Sequence, residues 1–288
     1  MSVEERDPVS GYLTTGHVWN GITELNSPVP RIVFAFMVVT HLYALVAWFL
    51  LPAWPLGQTF TKGLLGIDQK TAVAADIAAA NADRAGWMNA LATHDFDAIR
   101  ADPDLMARAL VTAEPLFGQN CQVCHGANGI GGPGYPRLND DIWVWGGTAD
   151  EIATTLRVGI NADHPDTHFA QMPAFGRDGL LTGAEISVLT DYVQTLGAGV
   201  MADDPSDGAL LFQTNCAGCH GEDARGISGS GAPNLTDGDW LYGGDAANLR
   251  HGLVAGRQGQ MPSWQSRLTE AEIRAMALYV EGLPGAAR

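Results

Sequence analysis

The chain has 288 residues and a formal net charge of −16, with 46% hydrophobic and only 17% charged residues. That length holds about two domains, each able to bury its own core. With just two lysines, Lys62 and Lys70, so acidic a chain excludes a nucleic-acid partner and suits instead the steering of a basic protein.

Residues 32–51, IVFAFMVVTHLYALVAWFLL, contain no formal charge over twenty positions. An α-helix needs about 20 apolar residues to cross a hydrocarbon layer. The stretch therefore predicts one transmembrane helix, with Trp48 and Trp54 toward its far end and prolines on both flanks. About thirty residues precede it and no small-residue cleavage site follows, which reads as an uncleaved anchor rather than a signal peptide. His41, midway along, is expected to face protein and to hydrogen-bond a neighbouring helix, since no second metal ligand stands nearby. The flanking cations, Arg6 and Arg31 before the helix and Lys62 and Lys70 after it, are too balanced to set its orientation. Residues 55–112 read as a polar, alanine-rich helical connector, with Pro103 starting or interrupting a helix.

The remainder is an internal repeat. LFGQNCQVCHG at 116–126 matches LFQTNCAGCHG at 211–221, WVWGG at 143–147 matches WLYGG at 240–244, and QMPAF at 171–175 matches QMPSW at 260–264. Each copy ends in a predicted helix with a capping box, Thr182 with Glu185 and Thr269 with Glu272. Ile186, Leu189, Val193 and Leu196, and then Ile273, Met276, Val280 and Leu283, give each final helix one apolar face. Units this small need a ligand or cross-link to be firmly stable.

Cys-x-x-Cys-His occurs twice, at Cys121, Cys124 and His125 and at Cys216, Cys219 and His220, and uses every cysteine in the chain. Positions i, i+3 and i+4 share one face of a helix, so two thioethers and one imidazole can meet a single porphyrin. A zinc ribbon places its two pairs about 15 to 20 residues apart. Here Cys121 and Cys216 are 95 positions apart. A thioredoxin-like dithiol belongs in a βαβ setting, which is absent from the pattern. Two covalent haem c groups are the expected cofactors. The methionine that recurs in QMP, Met172 and Met261, is the expected second axial ligand of each iron, and a soft thioether there favours the ferrous state. His164, His168 and His251 are rivals without a counterpart in the other copy. With both axial positions filled by protein, a haem has no open site for substrate, so electron transfer is expected and bond chemistry is not.

Taken together, NGITELNSPVPR at 20–31, a single anchor, and two units carrying NC-x-x-CHG and QMP resemble the dihaem subunit of cbb3-type cytochrome c oxidase over nearly the whole chain. The segment before the anchor is the most specific part, since paired Cys-x-x-Cys-His units are common to many dihaem cytochromes. The resemblance implies a mainly α fold, one N-terminal transmembrane helix followed by two tandem class I-like cytochrome c domains. The expected layout is a cytoplasmic segment at 1–30, the anchor at 31–54, the connector at 55–112, and cytochrome c domains at 113–200 and 203–288. It carries over Cys121, Cys124, Cys216 and Cys219 for the thioethers and His125, Met172, His220 and Met261 as axial ligands. It implies a cytochrome c donor, a monohaem cytochrome c subunit and a haem-copper catalytic subunit as partners, and an inner membrane with both haem units in the periplasm. A stand-alone membrane-tethered electron shuttle is the competing reading, and a dihaem peroxidase, which needs one haem able to open a coordination position, is a third.

Overall fold

The computed structural model describes residues 5–198 and 206–285. Asn20 and Gly21 take φ of 51° and 83°, the paired left-handed geometry of a two-residue hairpin turn. They join strands β1 (Thr14–Trp19) and β2 (Ile22–Leu25), antiparallel, with Trp19 opposite Ile22 and Thr14 opposite Leu25. Helix α1 (Arg31–Leu50) follows Pro30 and reaches a mean hydropathy of 2.1; among the described residues it alone is long and apolar enough to cross a membrane. Its last carbonyls are not left bare, because Leu64 N–H donates to Phe49 O and Leu65 N–H to Leu50 O. Within α1, His41 Nδ1 bonds the Met37 carbonyl at 2.7 Å, one turn back.

The chain divides at Asp83 and Arg84 into two compact units, and helix α2 (Gln69–Thr93) runs across that point. In the second unit, α3 (Phe96–Ala101) and α4 (Pro103–Asn120) are capped by Asp95 and Asp102, and Pro103 stands in the first turn of α4, where its missing N–H costs nothing. The haem-type turns are α5 (Gln122–His125) and its later copy. Next come α6 (Ala149–Val158) and α7 (Gly183–Gly197), both opened by complete capping boxes. The second copy repeats the order with α8 (Asp207–Asn215), α9 (Ala217–His220), α10 (Ala246–Ala255) and α11 (Glu270–Glu281).

Among the described residues two apolar cores form, and they do not follow the sequence repeat. One gathers Leu105, Ala109, Ala113 and Phe117 of α4 and Ile152 and Leu156 of α6 with Ile273, Met276 and Leu278 of α11, the last helix of the other copy. The other gathers Ile186, Leu189, Val193 and Leu196 of α7 with Phe212 of α8 and Leu253 of α10. Each copy thus lends its final helix to its neighbour. Polar ties agree: Arg100 of α3 meets Glu281 at 2.7 Å, Arg157 of α6 meets Glu270 at 2.5 Å, and Arg274 Nε donates to Leu91 O at 2.8 Å. Across the other core, Arg250 of α10 donates to the Ser187 hydroxyl of α7 at 2.9 Å. The end of the expected connector is also core, since Leu91, Phe96 and Ile99 are buried with α4 and α11.

Candidate functional site

Each attachment motif sits on one tight helical turn. Cys124 N–H and His125 N–H both donate to Cys121 O, at 3.1 and 2.9 Å, and Cys219 and His220 repeat the pattern on Cys216 O. The four thiols are free, with no disulfide among the described residues. Burial, reinforced by the neighbouring thiol, pushes Cys121 and Cys216 up to about 11. They are therefore neutral thiols at pH 7, unlike the low-pKa thiolate of a working dithiol oxidoreductase.

The two imidazoles are prepared alike. Nδ1 of His125 bonds Pro136 O at 3.0 Å, and Nδ1 of His220 bonds Pro233 O at 2.9 Å. A carbonyl accepts, so Nδ1 carries the proton and the Nε2 lone pair is left for a metal. Among the described residues neither Nε2 has a hydrogen-bond partner. Burial lowers both pKa values, an effect partly offset by the proline carbonyl, so each ring is held neutral. Neutral imidazole is the ligand form.

The methionines follow the exchanged packing. Met261 packs against the core that contains Cys121, and Met172 against the core that Cys216 adjoins. Trp143 and Trp240, by contrast, stay with the cysteines of their own copy, one at each core, each ring pressed on a glycine of its own motif, Gly147 and Gly244. The structure thus groups Cys121, Cys124, His125 and Met261 in one half and Cys216, Cys219, His220 and Met172 in the other. Two thiols, a neutral imidazole with a free Nε2 and a thioether form a donor set suited to covalent haem c and to little else.

Backbone pairing holds the exchange. Met261 and Ile160 bond each other's N–H and C=O at 2.9 Å, and Met172 and Arg257 do so at 2.9 and 3.2 Å. Gly159 and Gly256, the residues that end α6 and α10, have φ of +69° and +74°. A Cβ on Gly159 would come 2.5 Å from Met261 O, and one on Gly256 2.7 Å from Met172 O. These glycines, together with Pro136 and Pro233, escape sequence reasoning, although all four recur at matching places in the two copies.

The rival histidines are otherwise engaged or exposed. His164 Nε2 meets Gln265 Oε1 at 2.9 Å; His168 stacks on Trp145 with centroids 4.2 Å apart and its Nε2 lies 3.2 Å from the Thr155 hydroxyl; His251 is exposed. Both His164 and His168 lie in an excursion peculiar to the first copy, where Met172 follows Asn161 by eleven positions while Met261 follows Gln258 by three.

Comparison with known proteins divides the chain in the same order. Residues 11–58 match the N-terminal domain of cytochrome oxidase-cbb3, FixP; residues 111–197 match cytochrome c; residues 203–280 match cytochrome c oxidase, cbb3-type, subunit III. The chain is 44% identical over 283 residues to the cbb3-type cytochrome c oxidase subunit FixP of Bradyrhizobium sp. (strain ORS 278), covering 98% of both chains. It is 42% identical over 294 residues to the subunit CcoP of Azospirillum sp. (strain B510), covering 99% of both, and 44% identical over 274 residues to that of Cereibacter sphaeroides, covering 94% of both.

Proposed function

The chain belongs to the CcoP/FixP family of cbb3-type cytochrome c oxidase subunits, and on that premise we propose that it carries two covalent haems c and relays electrons toward the oxygen-reducing core without bond chemistry of its own. The observation that carries this reading is the pair of complete donor sets, each with a neutral imidazole whose Nε2 is free and a methionine on the same core.

When bound, haem c supplies a one-electron Fe(III)/Fe(II) couple. The protein's part is placement. Cys121 and Cys124, and Cys216 and Cys219, would fasten the two macrocycles; His125 and His220 would each offer Nε2 to an iron. Met261 would complete the His125 set and Met172 the His220 set. As soft donors, both thioethers would favour the ferrous state of a bound haem and so raise its potential. The apolar cores they pack against would lower the polarity around a bound haem, which also favours the less charged, reduced form.

Helix α1 supports a membrane-anchored chain. Haem c is attached outside the cytoplasm, so residues 84–285 would lie in the periplasm and residues 1–30 in the cytoplasm. A monohaem cytochrome c subunit and the haem-copper catalytic subunit are the proposed neighbours, with a basic cytochrome c as donor.

Gentle solubilisation and capture of the tagged chain tests the assignment. Co-purifying haem b, partner subunits and oxygen consumption are the expected result. A lone chain with c-type bands only would favour a stand-alone tethered shuttle.

A further inference from the structure

Asn161 stands between the two methionine loops. Its backbone is left-handed, with φ of 48°, and its amide is fully used. Nδ2 donates to Ala170 O at 2.7 Å and to Gly259 O at 2.6 Å, while Oδ1 accepts from Ala170 N–H at 3.1 Å. The Gln260 side chain closes the arrangement by donating to Asn161 O at 3.2 Å. Ala170 and Gly259 hold the same place in the two copies, two residues before Met172 and Met261. One amide therefore grips the equivalent carbonyl of both loops, with its orientation dictated by the Ala170 N–H.

We infer that Asn161 is a positioning residue shared by both haem centres, which sets the two methionines together and so couples the two reduction potentials. The inference rests on Met172 and Met261 being iron ligands. Only a short primary amide supplies this pattern. Aspartate keeps the acceptor for Ala170 N–H but turns carboxylate oxygens toward two carbonyls; serine brings a single hydroxyl that cannot reach both. Loosening the loops weakens thioether ligation, and the ferrous state loses most by it.

The experiment compares the intact haem-loaded protein with Asn161→Asp and Asn161→Ser, and with Arg157→Gln, which breaks the Arg157–Glu270 ion pair between α6 and α11 and keeps the Arg157 backbone carbonyl to which the Ser263 hydroxyl of the Met261 loop donates. Redox titration is read beside the weak red-edge absorption band of methionine-ligated ferric haem. Both potentials should fall together in both Asn161 variants, with the band weakened and with Arg157→Gln unchanged; a tenfold shift toward the ferric form corresponds to about 59 mV. Asn161→Ser decides the matter alone if Asn161→Asp does not mature. Unchanged potentials, or a fall at one haem only, overturn the inference while leaving the ligand assignment intact. A wild-type protein without the band overturns the assignment, and the inference with it.

Discussion

Pro136 and Pro233 hold the two imidazoles by one carbonyl each, while Gly159 and Gly256 leave room for the backbone of the opposite copy's methionine. A Cβ there meets both a left-handed backbone and a carbonyl oxygen. Gly159→Ala and Gly256→Ala should each destabilise the protein by about 1–3 kcal/mol in denaturant titrations. Gly159→Ala should disturb the ligation of Met261, and Gly256→Ala that of Met172; alanine tolerated at both places would remove the clamp. His168 offers a pH prediction, since burial lowers its pKa from the ordinary 6.5. Folding favours its neutral form, so its contribution is complete above pH 6.5 and is lost as pH falls through the lower folded value. Replacing it in His168→Gln should flatten the acid-side fall in the urea midpoint; an unchanged slope would show that the group does not titrate with unfolding. The thiols, imidazoles and methionines proposed to hold haem are announced in the sequence by a motif and its repeat. Asn161 is not, because its counterpart is Gln258 and comparison of the copies passes over it.

At the scale of elements, local signals carried far. Thr182 with Glu185 and Thr269 with Glu272 form the capping boxes their spacing predicts, and the apolar positions of both final helices are buried. Local signals also went unread: Asn20–Gly21 between alternating residues marks a hairpin, and Thr148 with Glu151 marks a third capping box. The exchange of final helices is a different matter. α7 and α11 present nearly the same apolar face, so periodicity can say that each packs on a core but not on which one. Truncating Met276, fully buried in α11, should cost about 2–5 kcal/mol. In hydrogen exchange Met276→Ala should loosen α4 of the opposite copy and leave α8 protected. Loosening confined to α8 would contradict the exchanged packing.

For the whole molecule, a net charge of −16 bears on association rather than on fold. Electron donation by a basic cytochrome c should slow steeply as ionic strength rises through the range where the Debye length drops below about 10 Å. A rate flat in salt would remove electrostatic steering. The apolar helix and the two Cys-x-x-Cys-His copies are plain from composition and repetition. The interdependence of the two copies is not, because it lies in contacts between residues more than a hundred positions apart, such as Arg157 with Glu270. The exchange packs α11 with α4 and α6, and α7 with α8 and α10, so that neither proposed haem centre would be complete within its own copy. The most direct test inserts a protease site between Gly197 and Ser206, cleaves the haem-loaded full-length protein, and passes it through a sizing column under native conditions. The exchanged structure predicts that the two pieces stay together, keep both methionine-ligated spectra and part only in denaturant. Release of the second piece as a folded, methionine-ligated monohaem unit would contradict it.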